Sequence, residues 1–381
     1  MNISTPNRVC YFLTMNSLNY TRRQFCKATT FAAASLPFLG ASVLQAAVPE
    51  RKLGFALVGL GSLSTHQIAP ALQQTKYCRL AGIVTGTPAK AESWKQQYGI
   101  PDKNIYNYET MTQMADNPDI DVVYVVTPNA LHAESTIKAA KAGKHVLCEK
   151  PMEVSVEKCE QMIAACKQAG RQLAIGYRLH FEPNHLECVR LARSKMWGDL
   201  KMIDASFGFQ IGDPTQWRLK KALAGGGCLM DVGIYALQAT RYLSGEEPIS
   251  VSATSTVTDP VKFKDVEESI EWQLKFPSGL ITHSASSYRF SGMDHFIAYA
   301  ENGWWKLDPA YGYGGIVGQR SDGTEINFDN IDQFAAEMDD FAQCILTNQP
   351  TRVPGEEGLR DVKIMMQIYQ AAQTGQTLNL S

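Results

Sequence analysis

Three residues with acid–base side chains stand beside proline or glycine, where a chain can approach a ligand closely. Lys150 lies in the run Glu-Lys-Pro at 149–151, after an apolar stretch, and Asp231 and Tyr235 follow a triple glycine at 225–227. Residues four apart share a helix face, so the carboxylate and the phenol would point the same way. An amine, a carboxylate and a phenol that converge can move the proton of a substrate hydroxyl. We therefore predict Lys150, Asp231 and Tyr235 as catalytic residues.

Structural roles remain open for two of these residues. Asp231 could cap the N-terminus of a helix, and Tyr235 could be a half-buried core aromatic. For Lys150 the usual position would be a solvated surface loop, but the neighbouring proline and the preceding apolar run favour a place in a cleft.

A second motif has the composition of a phosphate-binding turn. Residues 59–64, Gly-Leu-Gly-Ser-Leu-Ser, follow an apolar run and open a helical stretch. The first glycine permits a tight turn, the second lets the backbone approach a pyrophosphate, and the small Ser64 allows the helix to pack on the strand. Free N–H groups at the helix N-terminus favour an anion. We predict that Gly59, Gly61, Ser62 and Leu63 contact a dinucleotide.

The end of the second apolar run indicates which dinucleotide binds. NAD-binding proteins usually place a carboxylate there for the ribose 2′-hydroxyl, whereas this chain has Thr85 and Thr87, with Lys90 one helical turn later. Hydroxyls and an ammonium suit a 2′-phosphate, so we predict NADP, with NAD as the less favoured cofactor. Alternatively, the threonines cap the next helix and Lys90 is a solvated charge.

The elements that must position these residues form two patterns. In the first, short apolar runs alternate with helical stretches, which predicts a parallel, doubly wound sheet and hence a Rossmann domain over residues 51–176. Its predicted strands are 53–58, 80–84, 121–126, 144–148 and 172–176, with helices such as 89–98 and 130–142 between them. Ligands bind at the carboxyl ends of such strands, where the glycine turn and Lys150 would meet.

The second pattern, over residues 177–381, alternates polar and apolar residues. It predicts an open, mostly antiparallel sheet with helices on one face, so the whole chain would combine α/β and α+β architecture. The predicted strands are 201–207, 249–254, 269–276 and 280–286, and the helices are 185–194, 233–243, 331–347 and 357–372. The remaining sheet face would be wet or covered, which predicts a homodimer or homotetramer through this sheet.

The first 47 residues have the pattern of a twin-arginine export signal. Thr-Arg-Arg-Gln-Phe-Cys-Lys at 21–27 precedes a weakly apolar stretch, and Met15 could be the true start. Pro37 and Gly40 make that stretch a poor membrane span, although an anchor or a disordered leader remains an alternative. Because this route exports folded proteins, it would carry a bound cofactor to the periplasm, with the twin-arginine machinery as a partner.

Net charge and cysteine spacing argue against two kinds of binding site, one for nucleic acid and one for a metal ion. The net charge of −2 offers no basic field for nucleic acid. The nine cysteines lack metal-ligand spacing, so we predict no metal site and free thiols.

Taken together, these motifs resemble the Gfo/Idh/MocA oxidoreductase family, and most closely its glucose–fructose oxidoreductase branch. The resemblance covers essentially the whole chain after the leader. It is carried by residues 128–134, 142–152, 175–178, 216–219, 224–235 and 354–358. The family's Glu-Lys-Pro lysine corresponds to Lys150 and its second-domain carboxylate to Asp231. Many members have histidine four residues later, whereas this branch has tyrosine, as here at Tyr235. The branch ends its glycine motif in alanine, where this chain has Ser64.

The resemblance also implies contacts that the motifs alone do not specify. It places Pro128 and Asn129, which precede His132, under the nicotinamide, Tyr177 and Arg178 at the sugar cleft, and Arg218 near the cofactor. The full set of predicted cofactor contacts is Gly59, Gly61, Ser62, Leu63, Thr85, Thr87, Lys90, Pro128, Asn129, His132, Glu149, Lys150, Arg178, Trp217 and Arg218. The predicted substrate contacts are Lys150, Tyr177, Arg178, Asp231 and Tyr235.

The activity implied is hydride transfer from aldose C1 to tightly bound NADP, giving a lactone, with re-oxidation by a second sugar. Two alternatives remain open at this point. One is a simple NADP-dependent aldose or xylose 1-dehydrogenase with an exchangeable cofactor. The other is a sugar- or nucleotide-binding protein without turnover.

Overall fold

The computed structural model describes residues 51–380. The predicted export signal and the alternative start at Met15 lie outside the described residues. Residues 51–380 fall within one compact unit that contains two β-sheets.

The first sheet has six strands, all parallel, in the order β3-β2-β1-β4-β5-β6. Its strands are β1 (Leu53–Val58), β2 (Cys78–Val84), β3 (Ile105–Tyr106), β4 (Val122–Val125), β5 (His145–Glu149) and β6 (Leu173–Gly176). Every residue of β1 and β4 is buried, as expected for central strands covered on both faces. The predicted Rossmann architecture is confirmed.

Helices connect these strands. After β1 a π-helical turn, Ser64–Ile68, continues into α1 (Ala69–Leu72). The other helices are α2 (Pro88–Tyr98), α3 (His132–Lys141) and α4 (Val156–Gln168). Short 3₁₀ turns complete the connections, among them Asn129–Leu131 directly before α3.

The second sheet has nine strands in the order β14-β13-β12-β11-β7-β10-β9-β8-β15. Its strands are β7 (Leu200–Gly208), β8 (Ser250–Thr256), β9 (Ser269–Lys275), β10 (Ile281–Ser287), β11 (Met293–Ala300), β12 (Gly303–Leu307), β13 (Gly318–Arg320), β14 (Glu325–Ile326) and β15 (Leu378–Asn379). Only β7 and β10 pair in parallel, so the prediction of a mostly antiparallel sheet is confirmed.

Five helices accompany this sheet: α5 (Pro183–Arg193), α6 (Lys221–Ala224), α7 (Ile234–Ser244), α8 (Gln333–Thr347) and α9 (Gly355–Thr374). α7 packs on β7, β10 and β11 and is almost wholly buried. The stretch 221–244 is long and apolar enough to cross a membrane, but most of it lies inside the protein.

The last two helices pack against elements of the first domain, and α9 also packs against the second. α8 packs against α1 and β2, and α9 packs against α4 and β6 as well as α7 and β8. The chain therefore returns to the first domain after building the second.

Candidate active site

The candidate site lies where the carboxyl end of β5 meets the turn before α7. Lys150 follows β5 directly, and Asp231 lies in a π-helical turn, Leu229–Gly233, that leads into α7 and Tyr235. One strand end and one helix start, from different sheets, therefore supply the three predicted catalytic side chains.

The structure brings these three side chains together. The Lys150 Nζ donates to the Asp231 backbone oxygen at 2.6 Å and lies 3.6 Å from the carboxylate Oδ1. It also lies 4.8 Å from the centre of the Tyr235 ring. The side chains of Lys150 and Asp231 are only 12% and 14% exposed, so their charges interact with little screening by water.

Asp231 is held from a second side as well. Its Oδ2 accepts hydrogen bonds from Arg218 Nε at 2.9 Å and from the Tyr288 hydroxyl at 3.0 Å. Burial alone would raise the pKa of this carboxyl, but the Arg218 and Lys150 charges and the Tyr288 hydrogen bond outweigh it and lower the pKa. Asp231 is therefore an anion that fixes Lys150 and Arg218.

The triple glycine before this turn packs closely against Glu267 and Tyr369. A Cβ on Gly226 would lie 2.0 Å from the Tyr369 hydroxyl, and one on Gly227 would lie 2.1 Å from the Glu267 backbone oxygen. The Glu267 carboxylate accepts the N–H groups of Gly227 and Leu229, at 2.8 and 3.0 Å, and the Tyr369 hydroxyl at 2.9 Å. Only glycine allows this approach, which orients the turn that carries Asp231.

Arg178 forms the opposite wall of the site. Its guanidinium lies 4.9 Å from the centre of the Tyr235 ring and 4.6 Å from that of Tyr313. It is buried, donates to the backbone oxygens of Tyr311 and Gly312, and contacts Gln333. Arg178 thus contacts three parts of the site, which are α8, the loop that carries Tyr313, and Tyr235.

Two functional candidates behind this wall could not be predicted from motifs. Tyr313 is half-exposed, and its ring lies 4.6 Å from the Arg178 guanidinium that also contacts Tyr235. Glu337 on α8 lies behind Glu149, and the Tyr124 hydroxyl donates to Glu149 at 2.7 Å and lies 3.3 Å from Glu337. Burial, together with the Glu149 carboxylate, raises the Glu337 pKa well above its usual value.

The glycine turn after β1 fits a dinucleotide. Gly59 has a φ of +92°, and a Cβ there would lie 2.8 Å from the Val126 oxygen. Next to Gly61, by contrast, no atom of the described chain lies within 4 Å of a Cβ position, so the backbone faces open space. Ser62 and Leu63 follow on this open turn, and Leu63 caps the π-helical turn without a side-chain hydrogen bond. Ser64 is buried and donates to the Gly59 oxygen, which ties the helix to the strand.

The residues predicted to bind a 2′-phosphate lie beside this turn. Lys90 Nζ donates to the Leu60 backbone oxygen at 2.9 Å, which places its ammonium next to the glycines. Thr85 accepts the N–H of Thr87, and Thr87 is the N-cap residue of α2 but makes no side-chain capping bond. A lysine at the turn therefore provides a positive charge where a nucleotide phosphate would lie.

The turn after β4 makes hydrogen bonds to backbone groups of the second domain and of the segment that follows Lys150. Asn129 is buried and donates to the Ala224 oxygen at 2.9 Å, which ties the turn at Pro128 to the second domain. The His132 ring nitrogens lie 2.8 and 3.0 Å from the Thr127 and Pro151 backbone oxygens. The His132 ring thus holds the backbone that follows Lys150, and the Glu149 carboxylate accepts the N–H of Lys150.

Trp217 and Arg218 lie on a 3₁₀ turn at the cleft, with the Arg218 guanidinium 4.7 Å from the Trp217 ring.

The prediction for Tyr177 requires a correction, because the structure places this residue away from the cleft. It is 2% exposed, and its hydroxyl donates to Asp361 on α9 at 2.6 Å. The family resemblance implied a sugar contact for Tyr177, but its side chain packs toward α9 instead.

Residues 51–380 contain no group of three His, Cys, Asp or Glu side chains that could hold a metal ion. The seven cysteines in this part of the chain are all free thiols, and six of them are buried.

Comparison with known proteins relates this site to a family. Residues 53–177 match the model of an oxidoreductase family with an NAD-binding Rossmann fold, and residues 185–317 match the GFO/IDH/MocA C-terminal domain. The crystal structure of an aldose-aldose oxidoreductase from Caulobacter crescentus is 45% identical in sequence. It superposes with a TM-score of 0.84 over 87% of this chain and all of that one.

Two relatives are D-xylose 1-dehydrogenases. The D-xylose 1-dehydrogenase [NADP(+)] of Haloarcula marismortui is 33% identical, over 87% of this chain and 94% of its own length. The D-xylose 1-dehydrogenase (NADP(+)) 2 of Haloferax volcanii is 29% identical, over 86% of this chain and 99% of its own.

Proposed function

Because the chain belongs to the Gfo/Idh/MocA oxidoreductase family, we propose that it oxidises an aldose at C1 to a lactone and then reduces a second sugar, using one NADP that stays bound. At the coarser level it is an NAD(P)-dependent oxidoreductase that acts on sugars. The observation that carries the proposal is the convergence of Lys150, Asp231 and Tyr235 at the carboxyl edge of the sheet that also carries the open glycine turn.

The cofactor would be held by the glycine turn, with Lys90 at the 2′-phosphate. When bound, a nicotinamide supplies hydride exchange with the carbon that carries a substrate hydroxyl. Tyr235 accepts the proton of that hydroxyl and returns it to the oxygen of the second sugar. Lys150, oriented by Asp231, stabilises negative charge on the oxygen that is gaining or losing the proton.

The 45% identity to an aldose-aldose oxidoreductase supports the two-sugar cycle. The test is to purify the protein without added cofactor, denature it, and identify what is released by absorbance and mass. We expect NADP in near-stoichiometric amount, and formation of an alditol and an aldonate from aldose alone. A protein that purifies without nucleotide and requires added NADP for turnover contradicts cofactor retention.

The xylose dehydrogenases support a second candidate, an NADP-dependent aldose 1-dehydrogenase with exchangeable cofactor. The same experiment separates the two, because a dehydrogenase reduces added NADP in proportion to the sugar it oxidises. The absence of a carboxylate at the end of β2 supports NADP over NAD in either case.

Export to the periplasm by the twin-arginine machinery is part of the proposal. It rests on Arg22 and Arg23 and on the need to carry a cofactor out of the cytoplasm in a folded protein. Replacing both arginines with lysine should leave the protein in the cytoplasmic fraction of a bacterial host, whereas the unaltered chain should reach the periplasm. Equal distribution of the two forms contradicts this proposal.

The second sheet supports a homodimer or a homotetramer. Ile281, Met202, Tyr299 and Trp304 are neighbours across four strands on the face opposite α7. A row of large apolar side chains on a sheet face is typical of a surface that a partner covers.

A further inference from the structure

Three buried acid groups meet between β4, β5 and α8, next to Lys150. They are the phenol of Tyr124 and the carboxyl groups of Glu149 and Glu337. The Tyr124 hydroxyl oxygen lies 2.7 Å from Glu149 Oε1 and 3.3 Å from Glu337 Oε2. One hydroxyl group therefore bridges two buried carboxyl groups, and these three side chains are called the Tyr124 bridge below.

The geometry of the Tyr124 bridge determines how many protons it holds. A phenol has a single proton, so it can donate to one carboxyl group and must accept a hydrogen bond from the other. A carboxyl group donates only when it is protonated. Two ionised carboxylates around one hydroxyl would leave one buried charge without that donor. The bridge therefore holds a second proton, which belongs to one of the two carboxyl groups.

The contacts of the two carboxyl groups indicate which of them is protonated. Both oxygens of Glu149 accept hydrogen bonds, one from Tyr124 and the other from the Lys150 N–H at 3.2 Å. Glu337 contacts Tyr124 through one oxygen, and its other oxygen, Oε1, has no hydrogen-bond partner among the described residues. A buried anion needs donors on both oxygens, so Glu149 suits the charged form and Glu337 the protonated form.

The charges near Glu337 favour the same assignment. Burial and the Glu149 carboxylate raise the Glu337 pKa, and the Asp340 carboxylate on the same helix adds to this rise. The Tyr124 hydrogen bond and the Arg178 charge oppose it, but the pKa remains well above its usual value. Arg178 compensates little because its guanidinium donates to backbone oxygens instead.

The titratable groups that other elements direct toward α8 are neutral or lie away from Glu337. α1 has no titratable side chain, and His66 on the preceding π-helical turn is exposed. On β2, the Cys78 thiol contacts the Met338 oxygen, and burial raises its pKa so that it stays uncharged. In the segment after β6, burial lowers the pKa of His180 to about 4, so its ring is neutral at neutral pH.

The Tyr124 bridge is connected to Lys150 through Glu149. Glu149 is the last residue of β5, and its carboxylate accepts the N–H of Lys150. The position of this carboxylate therefore helps to fix the turn from which the Lys150 side chain extends.

The bridge is connected to Tyr235 through α8. Gln333 lies four residues before Glu337, on the same face of the helix, and contacts the Arg178 guanidinium. The same guanidinium packs on the Tyr235 ring at 4.9 Å. A second negative charge in the bridge would push α8 away from β5, and both sides of the active site would move.

We propose that Glu337 is a positioning residue that holds a proton and, through Tyr124, keeps Glu149 as the single anion of the bridge. The inference rests on the proposed function, because the role of Glu337 is to keep Lys150 and Tyr235 in place for turnover. When Glu337 gives its proton to solvent at alkaline pH, the two carboxylates repel each other and turnover falls. Glu337 thus sets the upper limit of the pH range in which the site works.

Infrared spectroscopy tests for the proton itself. An ordinary glutamate has a pKa of about 4.3, so at pH 8 the C=O stretching band of a protonated carboxyl group reports a buried, protonated side chain. We expect this band in the spectrum of the unaltered protein minus that of Glu337→Gln, and we expect D2O to shift it. The matched control is Glu325→Gln, which removes an exposed carboxylate on β14. Its difference spectrum should contain the bands of an ionised carboxylate instead.

The pH dependence of turnover tests the positioning role. kcat with glucose is measured from pH 6 to 10 for the unaltered protein, Glu337→Gln, Glu337→Leu and Glu325→Gln. A glutamine amide donates to Tyr124 as a protonated carboxyl does and does not ionise, so the alkaline fall in kcat should move up by about one pH unit or more. Leucine does not donate, so kcat at pH 7 should fall by a factor of about 3 to 10, which corresponds to one hydrogen bond. Glu325→Gln should keep the unaltered profile.

The two measurements separate this inference from the proposed function. A Glu337→Gln difference spectrum without the protonated-carboxyl band overturns the inference, and so does an alkaline fall in kcat at the same pH in that variant. A Glu337→Leu profile that matches the unaltered protein overturns it as well. Failure of the unaltered protein to oxidise any aldose instead rejects the proposed function, and the infrared band still decides whether Glu337 holds a proton.

Discussion

Asp231 accepts hydrogen bonds from Arg218 and Tyr288 on one oxygen, while its other oxygen faces Lys150 at 3.6 Å. Two cations therefore share one carboxylate at the edge of the cleft. In an environment with little water this arrangement fixes the ammonium above the Tyr235 ring. Asp231, from the second domain, thus fixes the position of the Lys150 ammonium in the site.

Removing either proton-handling group should abolish most of the activity and leave the fold intact. Lys150→Met and Tyr235→Phe keep side-chain size, so we expect turnover with glucose to fall by about 10² to 10⁴, because general acid–base catalysis contributes that factor. Circular dichroism and the content of bound nucleotide should match the unaltered protein. Near-normal turnover in both variants would reject this assignment of the site.

Asp231 should also make stability depend on pH. Its folded pKa lies below its usual value, so the anion stabilises the fold above the unfolded pKa of about 3.9, and this gain is lost as pH falls through the folded pKa. Asp231→Asn should therefore lower the free energy of unfolding by about 1–3 kcal/mol at pH 7. Denaturant titration should show that this difference shrinks below pH 4. A difference that is constant from pH 3 to 8 contradicts the role of the charge.

The sequence was informative about site residues that belong to a local motif. Lys150 adjoins a proline at a strand end, and Asp231 and Tyr235 share a spacing after three glycines, so their chemistry could be inferred. Tyr313, Glu267 and Tyr369 could not, because each reaches the site from a distant segment with no local pattern around it. Tyr177 shows the converse, since the family resemblance implied a ligand contact, whereas its hydroxyl donates to Asp361 on α9.

At the scale of elements, the turn before α7 is held by parts of the chain that lie far away in sequence. Glu267 precedes β9 and Tyr369 lies on α9, yet both contact the glycines that lead to Asp231. Burial raises the Glu267 pKa, and its hydrogen bonds from Gly227 and Leu229 oppose that rise. The carboxylate thus supplies acceptors to a turn whose backbone N–H groups would otherwise lack partners.

Glu267→Gln should weaken this turn without touching the substrate. The amide keeps one accepting oxygen but turns an N–H group toward a donor at the other position, so we expect a loss of about 1–3 kcal/mol in unfolding free energy and a fall of about tenfold in kcat. A purely structural role would leave the isotope effect unchanged. We expect a larger deuterium isotope effect with C1-deuterated glucose, because misplacement of Asp231 and Tyr235 slows the chemical step.

The matched control for this prediction is Glu271→Gln, a carboxylate on the exposed face of β9. It should leave both kcat and the isotope effect at the unaltered values. Equal effects of the two substitutions, or an unchanged isotope effect in Glu267→Gln, would show that Glu267 does not position the catalytic turn.

Strands could be predicted from the sequence where their apolar residues form a continuous run or a regular alternation. The strands of the first sheet were predicted because each is a continuous apolar run, except β3, which has only two residues. In the second sheet, β7 to β10 alternate clearly. β11 and β12 carry aromatic and small residues on both faces, and β13 to β15 are two or three residues long, so none had a recognisable period.

At the scale of the whole molecule, a buried network joins the segment between the domains to the last helix. Arg241 on α7 donates to Asp361 on α9 at 2.6 Å, and Asp361 also accepts from Tyr177 and Gln238. The segment that leads from β6 to Arg178 is thereby anchored to the last helix. This explains how a cleft between two sheets can keep a fixed geometry across elements more than a hundred residues apart.

The outer face of the second sheet is divided in two. On one side it carries polar groups such as Glu271 and Gln273, and His295 Nε2 donates to the Asp204 carboxylate at 3.1 Å. On the other side, the row formed by Ile281, Met202, Tyr299 and Trp304 is apolar. The apolar half would bury against a second copy by the two-fold pairing that is commonest among homo-oligomers, and the polar half would define the register.

Charges placed on the apolar row should therefore separate the subunits. Met202 is 42% exposed and lies at the middle of the row, so Met202→Lys would place an ammonium inside the interface at a cost that a modest contact cannot offset. We expect light scattering to give a dimer or a tetramer for the unaltered protein and a single chain for the variant. Leu186→Lys is the matched control, since Leu186 is 43% exposed but lies on α5, and it should leave the assembly unchanged. If the unaltered protein is a single chain, or if both variants keep its assembly, then the sheet face has some other role. A Met202→Lys monomer that retains bound nucleotide and turnover would show in addition that each subunit contains a complete site.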